Sequence, residues 1–232
     1  MKNKRIVILL FFFSIHGFTF SQNGSIQISV VPTYGEQVFS LKESSFRSLE
    51  TSGLTITDLK FYVSKIQFLK NGVVVLEEQN SFHLVDVAQL NSLQILIDNK
   101  KNALFDQLKF NLGIDSVTSV SGVLGGELDP TKGMYWAWQS GYINFKLEGA
   151  STLCKTRNNE FQFHLGGYEK PNDCLQTLSF AIINSNLINL KLDVKKFFDQ
   201  IDLAKTNHIM SPSNEAVLLS RNVANAFSIT KN

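Results

Sequence analysis

The side chains of this chain that could do chemistry are few: four histidines, two tryptophans, two cysteines and a handful of turn carboxylates. His83, His164 and His208 occupy three different settings, and His16 falls in the N-terminal apolar stretch. In Phe161-Gln162-Phe163-His164-Leu165 the alternation sets His164 opposite the phenylalanines, and Gly166-Gly167 ends the strand with little bulk beside the ring. His83 likewise points away from Phe82 and Leu84, and His208 precedes Ile209-Met210 in a segment read as a loop. Neutral imidazoles suit copper, zinc or nickel, and a thioether such as Met210 favours Cu(I). No spacing among the three is a metal motif, and taken singly each reads more simply as a half-exposed polar residue with a structural role.

Trp136 and Trp138 lie one residue apart in Gly133-Met134-Tyr135-Trp136-Ala137-Trp138-Gln139-Ser140-Gly141-Tyr142, led in by Gly125-Gly126-Glu127-Leu128-Asp129-Pro130. On a strand they would share parity and present both rings to one side, as core or as the wall of a cavity. Asp115 and Asp129 are turn carboxylates whose simplest role is to accept hydrogen bonds from the turn backbone; a calcium site is the alternative, and it needs more oxygen ligands than the sequence assigns. Cys154 and Cys174 are expected to form a disulfide if the chain is exported, closing a loop of about 20 residues and stabilising the fold by about 3 kcal/mol. Two free thiols or a metal role are the alternatives, the latter without the CxxC spacing of thiolate sites. There is no G-x-S-x-G elbow, P-loop, dinucleotide fingerprint or EF-hand loop, so the expectation is a non-enzyme.

The elements that must position these groups are strands. Apolar and polar residues alternate at Ile26–Val30, Leu59–Val63, Phe82–Val87, Leu108–Leu112, Ile143–Leu147, Phe161–Leu165, Leu178–Ile182 and Leu190–Val194. Asn71-Gly72 predicts a two-residue hairpin turn into Val73–Leu76. Eight or nine short strands predict an all-β fold, an antiparallel β-sandwich (Ig-like or barrel-like) with a C-terminal helix packed on it. That helix is expected to start at Ser211 and Pro212 and to bury Ala216, Leu219, Val223 and Phe227; shorter helical pieces are expected at Lys195–Ile201 and near Leu90–Leu104.

Lys2, Lys4 and Arg5 followed by the apolar run Ile6–Phe13 read as a secretory signal peptide over residues 1–21, too short in its apolar core to span a bilayer. Removing it leaves 19 basic against 20 acidic side chains, so the nominal +2 becomes −1. No basic stripe remains to recruit nucleic acid or an anionic membrane. The exported chain, residues 22–232, is expected to be a single domain in the periplasm or secreted.

The assembled motifs resemble a known family, the copper-binding MbnP-like domain associated with methanobactin systems. They are Leu84-Val85-Asp86; Phe110-Asn111-Leu112-Gly113-Ile114-Asp115-Ser116; the block from Gly126 to Tyr142; Lys146-Leu147-Glu148-Gly149; Phe163-His164-Leu165-Gly166-Gly167; and the end around His208 and Asn222 to Phe227. The resemblance implies an exported β-sandwich that binds copper through histidines, in some members with a tryptophan oxidised to kynurenine by a di-haem protein of the cytochrome c peroxidase type. It places His164 at the histidine before the glycine pair and His208 in the C-terminal histidine region, with His83 a weaker third ligand. Trp136 and Trp138 match the aromatic block, and either is a candidate for oxidation, although Trp136-Ala137-Trp138 departs from relatives carrying Trp-x-His. An outer-membrane copper receptor is a further expected partner. The rival reading is a metal-free extracellular interaction domain of the same fold.

Overall fold

The computed structural model describes residues 24–42, 45–47 and 53–230; the leader expected at residues 1–21 lies outside them. In chain order the elements are β1 (Ser25–Tyr34), β2 (Gln37–Val38), β3 (Phe46–Arg47), β4 (Thr55–Lys70), β5 (Val73–Glu77), β6 (Phe82–Asp86), β7 (Gln94–Asp98) and β8 (Gln107–Leu112). A helical excursion with α1 (Ser116–Val120) leads to β9 (Tyr135–Trp136), β10 (Gly141–Ala150), β11 (Glu160–Gly166), β12 (Gln176–Ala181) and β13 (Leu187–Asp193). The chain closes with α2 (Val194–Phe198), β14 (His208–Ile209), α3 (Asn214–Asn225) and β15 (Phe227–Thr230).

Two sheets form the expected sandwich. The smaller runs β15-β13-β1-β2, with β7 also on β1; the larger runs β12-β8-β4-β10-β11-β14, with β3, β5 and β6 on β4 and β9 on β10. Most pairs are antiparallel, but β1 with β13 and β11 with β14 are parallel. Such pairs are closed by long connections, which local periodicity does not reveal. The hairpin at Asn71-Gly72 forms with both residues at positive φ, 50° and 80°, as a tight two-residue turn demands. The segments read as Leu59–Val63 and Ile66–Phe68 are one long strand, β4. Lys65, at φ 51°, lies where the pairing of β4 with β8 shifts register.

Phenylalanine dominates the interior. Phe61, Phe110, Phe145, Phe161, Phe163 and Phe197 are fully buried between the sheets and under α2, each stabilising by about 1.5–3 kcal/mol relative to an exposed ring. Edge-on contacts Phe61–Phe227 at 5.4 Å and Phe163–Phe197 at 5.5 Å tie the two sheets and α2 together. The C-terminal helix buries Ala216, Leu219 and Val223 as expected.

Three local expectations are corrected. The cap of α3 is Ser213, not Ser211, its hydroxyl accepting from Ala216 N at 3.1 Å, and Phe227 belongs to β15, paired with Leu192. Residues Leu90–Leu104 are not a helix: a 3-10 turn over Leu90–Leu93 enters β7, where Ile95 and Ile97 are buried and Leu96 is 64% exposed. Period-two burial against β1 prevailed there over helix-forming composition. The disulfide is not formed: Cys154 and Cys174 are free, buried thiols. Cys154 is held in the turn after β10 by its N–H to Ser151 O at 2.9 Å. Cys174 lies before β12, with its N–H on Gly167 O and its thiol in hydrogen-bond contact with Ser220 of α3. Burial pushes the Cys174 thiol up to about 11, so it is an inert packing group rather than a thiolate.

Candidate metal centre

The larger sheet has one face on the Phe-rich core and an outer face that divides into two halves. One half is roofed by the excursion between β8 and β10. There Tyr62 and Leu84 stand opposite each other on β4 and β6 and pack with Ile114, Leu128, Met134, Trp136, Tyr142 and Ile143 as a second apolar cluster. The roof is built by its turn residues. Gly113 adopts φ +112°, where a Cβ would strike the Asn144 side chain at 2.3 Å. Asp115 caps α1 by accepting from Thr118 N at 2.8 Å, and Asp129 caps the next turn by accepting from both Thr131 N and Thr131 Oγ1. Both carboxylates accept hydrogen bonds within their own turns. Among the described residues no group of three or more His, Cys, Asp or Glu side chains is gathered for a metal.

Beneath this roof, burial raises the phenol of Tyr62 well above its ordinary value and raises that of Tyr142 against the opposing hydrogen bond from Leu124. Tyr62 OH donates to Glu127 O at 3.2 Å, and Tyr142 OH accepts from Leu124 N at 3.2 Å. The rings meet edge-on at 6.0 Å.

The other half of the outer face is polar, and His164 stands in it. Cross-strand register puts Lys60, Lys146 and His164 in one row across β4, β10 and β11, and Asp58, Glu148 and Gln162 in the next. The charges alternate and pair: His164 Nε2 to Glu148 Oε1 at 2.6 Å, Lys146 Nζ to Glu148 at 3.3 Å and to Asp58 at 2.9 Å, and Lys60 Nζ to Asp86 at 3.4 Å. His164 holds the Glu148 carboxyl down to about 2, with Lys146 assisting against the opposing effect of burial. Lys146 is raised despite its burial, because Asp58 and Glu148 both favour its charge. The row ends at a cavity of about 520 Å³ lined by Lys60, His83, Asp86, Asn91, Glu127 and Lys132 among others.

The sequence-derived ligands are distributed unevenly. His208 on β14 is opposite Gln162 of β11, while its neighbour Ile209 is buried opposite Phe163. Residues paired across a ladder share a face, so His208 is on the outer face with His164, one strand over and two residues along, roughly 8 Å between Cα atoms from strand spacings. His83 is different. It lies on β6 opposite Val63, with β4 and β10 intervening before β11 and three residues along from the row of His164, roughly 17 Å between Cα atoms from strand spacings, and its Nε2 is bonded to Glu78 Oε2 at 2.7 Å.

The tryptophans also separate. Trp136 is 6% exposed, whereas Trp138, in the turn after β9, is 66% exposed, with ring centroids 5.8 Å apart. The shared parity expected of a strand is lost because β9 ends at Trp136, which accepts the turn bond from Gln139 N. The indole of Trp136 covers Gly166: a Cβ there would lie 2.9 Å from Trp136 Cζ3 and 2.6 Å from Tyr142 O. Gly166 is two residues beyond His164 on the same strand, so the buried indole borders the polar half of the face. Its Nε1–H is buried without a hydrogen-bond partner. An orphaned donor of this kind costs about 1–3 kcal/mol, and among the described residues the Asn144 amide nitrogen is left in the same condition.

The MbnP family model matches residues 23–211, most of the chain. The chain belongs to the MbnP family. Among solved structures, MbnP from Methylosinus trichosporium has the same fold: TM-score 0.62 at 12% identity, covering 88% of this chain and 97% of that one. No curated protein matches. The family match ends just before α3, so the last helix and β15, which complete both the core and the smaller sheet, lie beyond it. Among the described residues no helix of this MbnP-family chain is long and apolar enough to cross a membrane.

Glu148, Lys146 and Gly166 were missed as site residues. The signal for the first two was on the page as opposite charges two residues apart in Asp58-Leu59-Lys60 and Lys146-Leu147-Glu148, which places them on one face of each strand. Which strands are neighbours, and hence that Glu148 meets His164, is not a local property.

Proposed function

We propose that this chain is an exported copper-binding protein of the periplasm, used in copper uptake, storage or delivery and without catalytic activity of its own. The observation that carries the reading, beside family membership, is the placement of His164 and His208 on adjacent strands of one face, next to a buried indole with an unpartnered N–H. Two imidazoles with the thioether of Met210 close in sequence to His208 form a donor set suited to Cu(I). His83, bonded to Glu78 and three strands from His164, is not part of this set.

Of the two tryptophans, Trp136 is the one proposed for oxidation. Opening its indole to kynurenine would cleave the C2–C3 bond with addition of two oxygen atoms from peroxide and release C2 as formate on hydrolysis, exchanging a buried ring and its orphaned N–H for an aryl amine and a ketone beside the metal. The oxidant would come from a di-haem partner of the cytochrome c peroxidase type, for which exposed Trp138 offers a contact point, and an outer-membrane copper receptor would be the second partner.

Titration of the exported protein with Cu(I) and Cu(II), repeated on His164→Ala and His208→Ala, tests the reading. A loss of affinity of tenfold or more in each variant is expected; unchanged binding in both removes these histidines from the site. Intact-mass analysis of natively exported protein, followed by mapping of the 134–142 peptide, tests Trp136. The metal-free interaction domain is the second reading, favoured by the exposed Trp138, and it predicts unmodified tryptophan and no copper after metal-replete export.

A further inference from the structure

We propose that Glu148 is a positioning residue for the metal, fixing His164 as the tautomer protonated at Nε2 and leaving Nδ1 as the atom that binds the ion. The inference rests on the copper reading above and adds a residue and an atom to it. Glu148 Oε1 lies 2.6 Å from His164 Nε2, and an ionised carboxylate can only accept hydrogen bonds. The proton of that bond is therefore on Nε2. In a neutral imidazole the other nitrogen then carries the lone pair, and among the described residues no hydrogen bond to His164 Nδ1 is found. Histidines that ligate metals through one nitrogen commonly donate the other N–H to a carboxylate, which sets ring orientation and raises ligand basicity.

Glu148 itself is held in place. Lys146 Nζ, anchored on Asp58 at 2.9 Å, reaches Glu148 at 3.3 Å. The next residue, Gly149, is pressed so closely between β4 and β11 that a Cβ would lie 2.0 Å from Thr55 O and 2.6 Å from Phe161 Cζ. The backbone beneath Glu148 has no room to shift, and its carboxylate is shared between two donors on its own sheet face. It therefore acts through His164 rather than as a ligand.

Long-range ¹H–¹⁵N spectra of the full exported chain, with the ring nitrogens of His164 assigned, test this with and without Cu(I). The metal-free protein is expected to show Nε2 protonated and Nδ1 unprotonated, and Cu(I) to move the Nδ1 resonance while the Nε2 proton persists. In Glu148→Ala the tautomer bias should disappear and Cu(I) affinity fall about 10–100-fold with the far-ultraviolet circular dichroism unchanged. Glu148→Gln, which keeps an acceptor oxygen, should fall less. Copper bonded to Nε2, or undiminished affinity in Glu148→Ala when His164→Ala abolishes binding, overturns the role of Glu148 alone. A wild-type chain that takes up no Cu(I) overturns the copper reading as well. If Glu148→Ala does not fold, the two wild-type spectra decide the assignment without it.

Discussion

The outer face of the larger sheet is made by the same strands throughout, yet its two halves have opposite character. Under the 113–142 excursion it carries Tyr62, Leu84, Tyr142 and Ile143 and is sealed by Trp136. Past Gly166 it carries Lys60, Lys146, Glu148 and His164, left partly open to water. The difference teaches that cover, not strand type, decides what a face can do. Where the roof lies, aromatic rings gain by burial; where it stops, charge is retained only in pairs, and a histidine is left with one nitrogen engaged and one free. Trp136 marks the border, and it carries an unsatisfied donor there.

The comparison can be broken most severely at Trp136. Trp136→Ala should cost about 3–5 kcal/mol in urea denaturation, as for other buried aromatic truncations; a loss under 1 kcal/mol would mean that the roof does not depend on its seal. Gly166→Ala should cost about 1–3 kcal/mol, because the new methyl meets Tyr142 O and the Trp136 ring. An increase in stability would show that the indole can move off its seat.

In the open half the test is acid. The Glu148 carboxyl is depressed from 4.5 to about 2, so the unfolded chain takes up this proton first. The stabilisation is present above pH 4.5 and is lost as pH falls from there towards 2. With solvent screening at this half-exposed site the loss should be about 1 kcal/mol, read as the difference between wild type and Glu148→Gln across that interval. Parallel pH profiles for the two proteins would contradict it. The smallest effect is expected at Trp138→Ala, within about 0.5 kcal/mol; a larger loss would place Trp138 in the roof with its neighbour.

Much of the architecture was legible before folding. Alternation located β1, β6, β8, β10, β11 and β13, and Asn71-Gly72 located a hairpin, because pleat and turn chemistry are properties of a few adjacent residues. The same method failed at Leu90–Leu104, where leucines suited to a helix were drawn into a strand by β1. It failed again at Cys154 and Cys174, where pairing was inferred from number and compartment but each thiol was placed by a different loop. Of the site, the sequence supplied His164, His208 and the tryptophans as residue types and, through Gly166-Gly167, a hint of close approach. It also proposed His83 as a weaker third ligand, and the sheet order sets that residue three strands away.

By itself, then, the sequence determined the sandwich, the C-terminal helix and the family resemblance, since all three are written in short-range pattern and motif order. Only the tertiary structure decided that Glu148 meets His164 across 16 residues of chain, that His208 joins their face through a parallel pairing, and that one tryptophan is sealed while the other stands in water. The physical reason is that alternation assigns a side chain to a face, whereas its neighbours on that face come from strand order and register, which many distant contacts settle together.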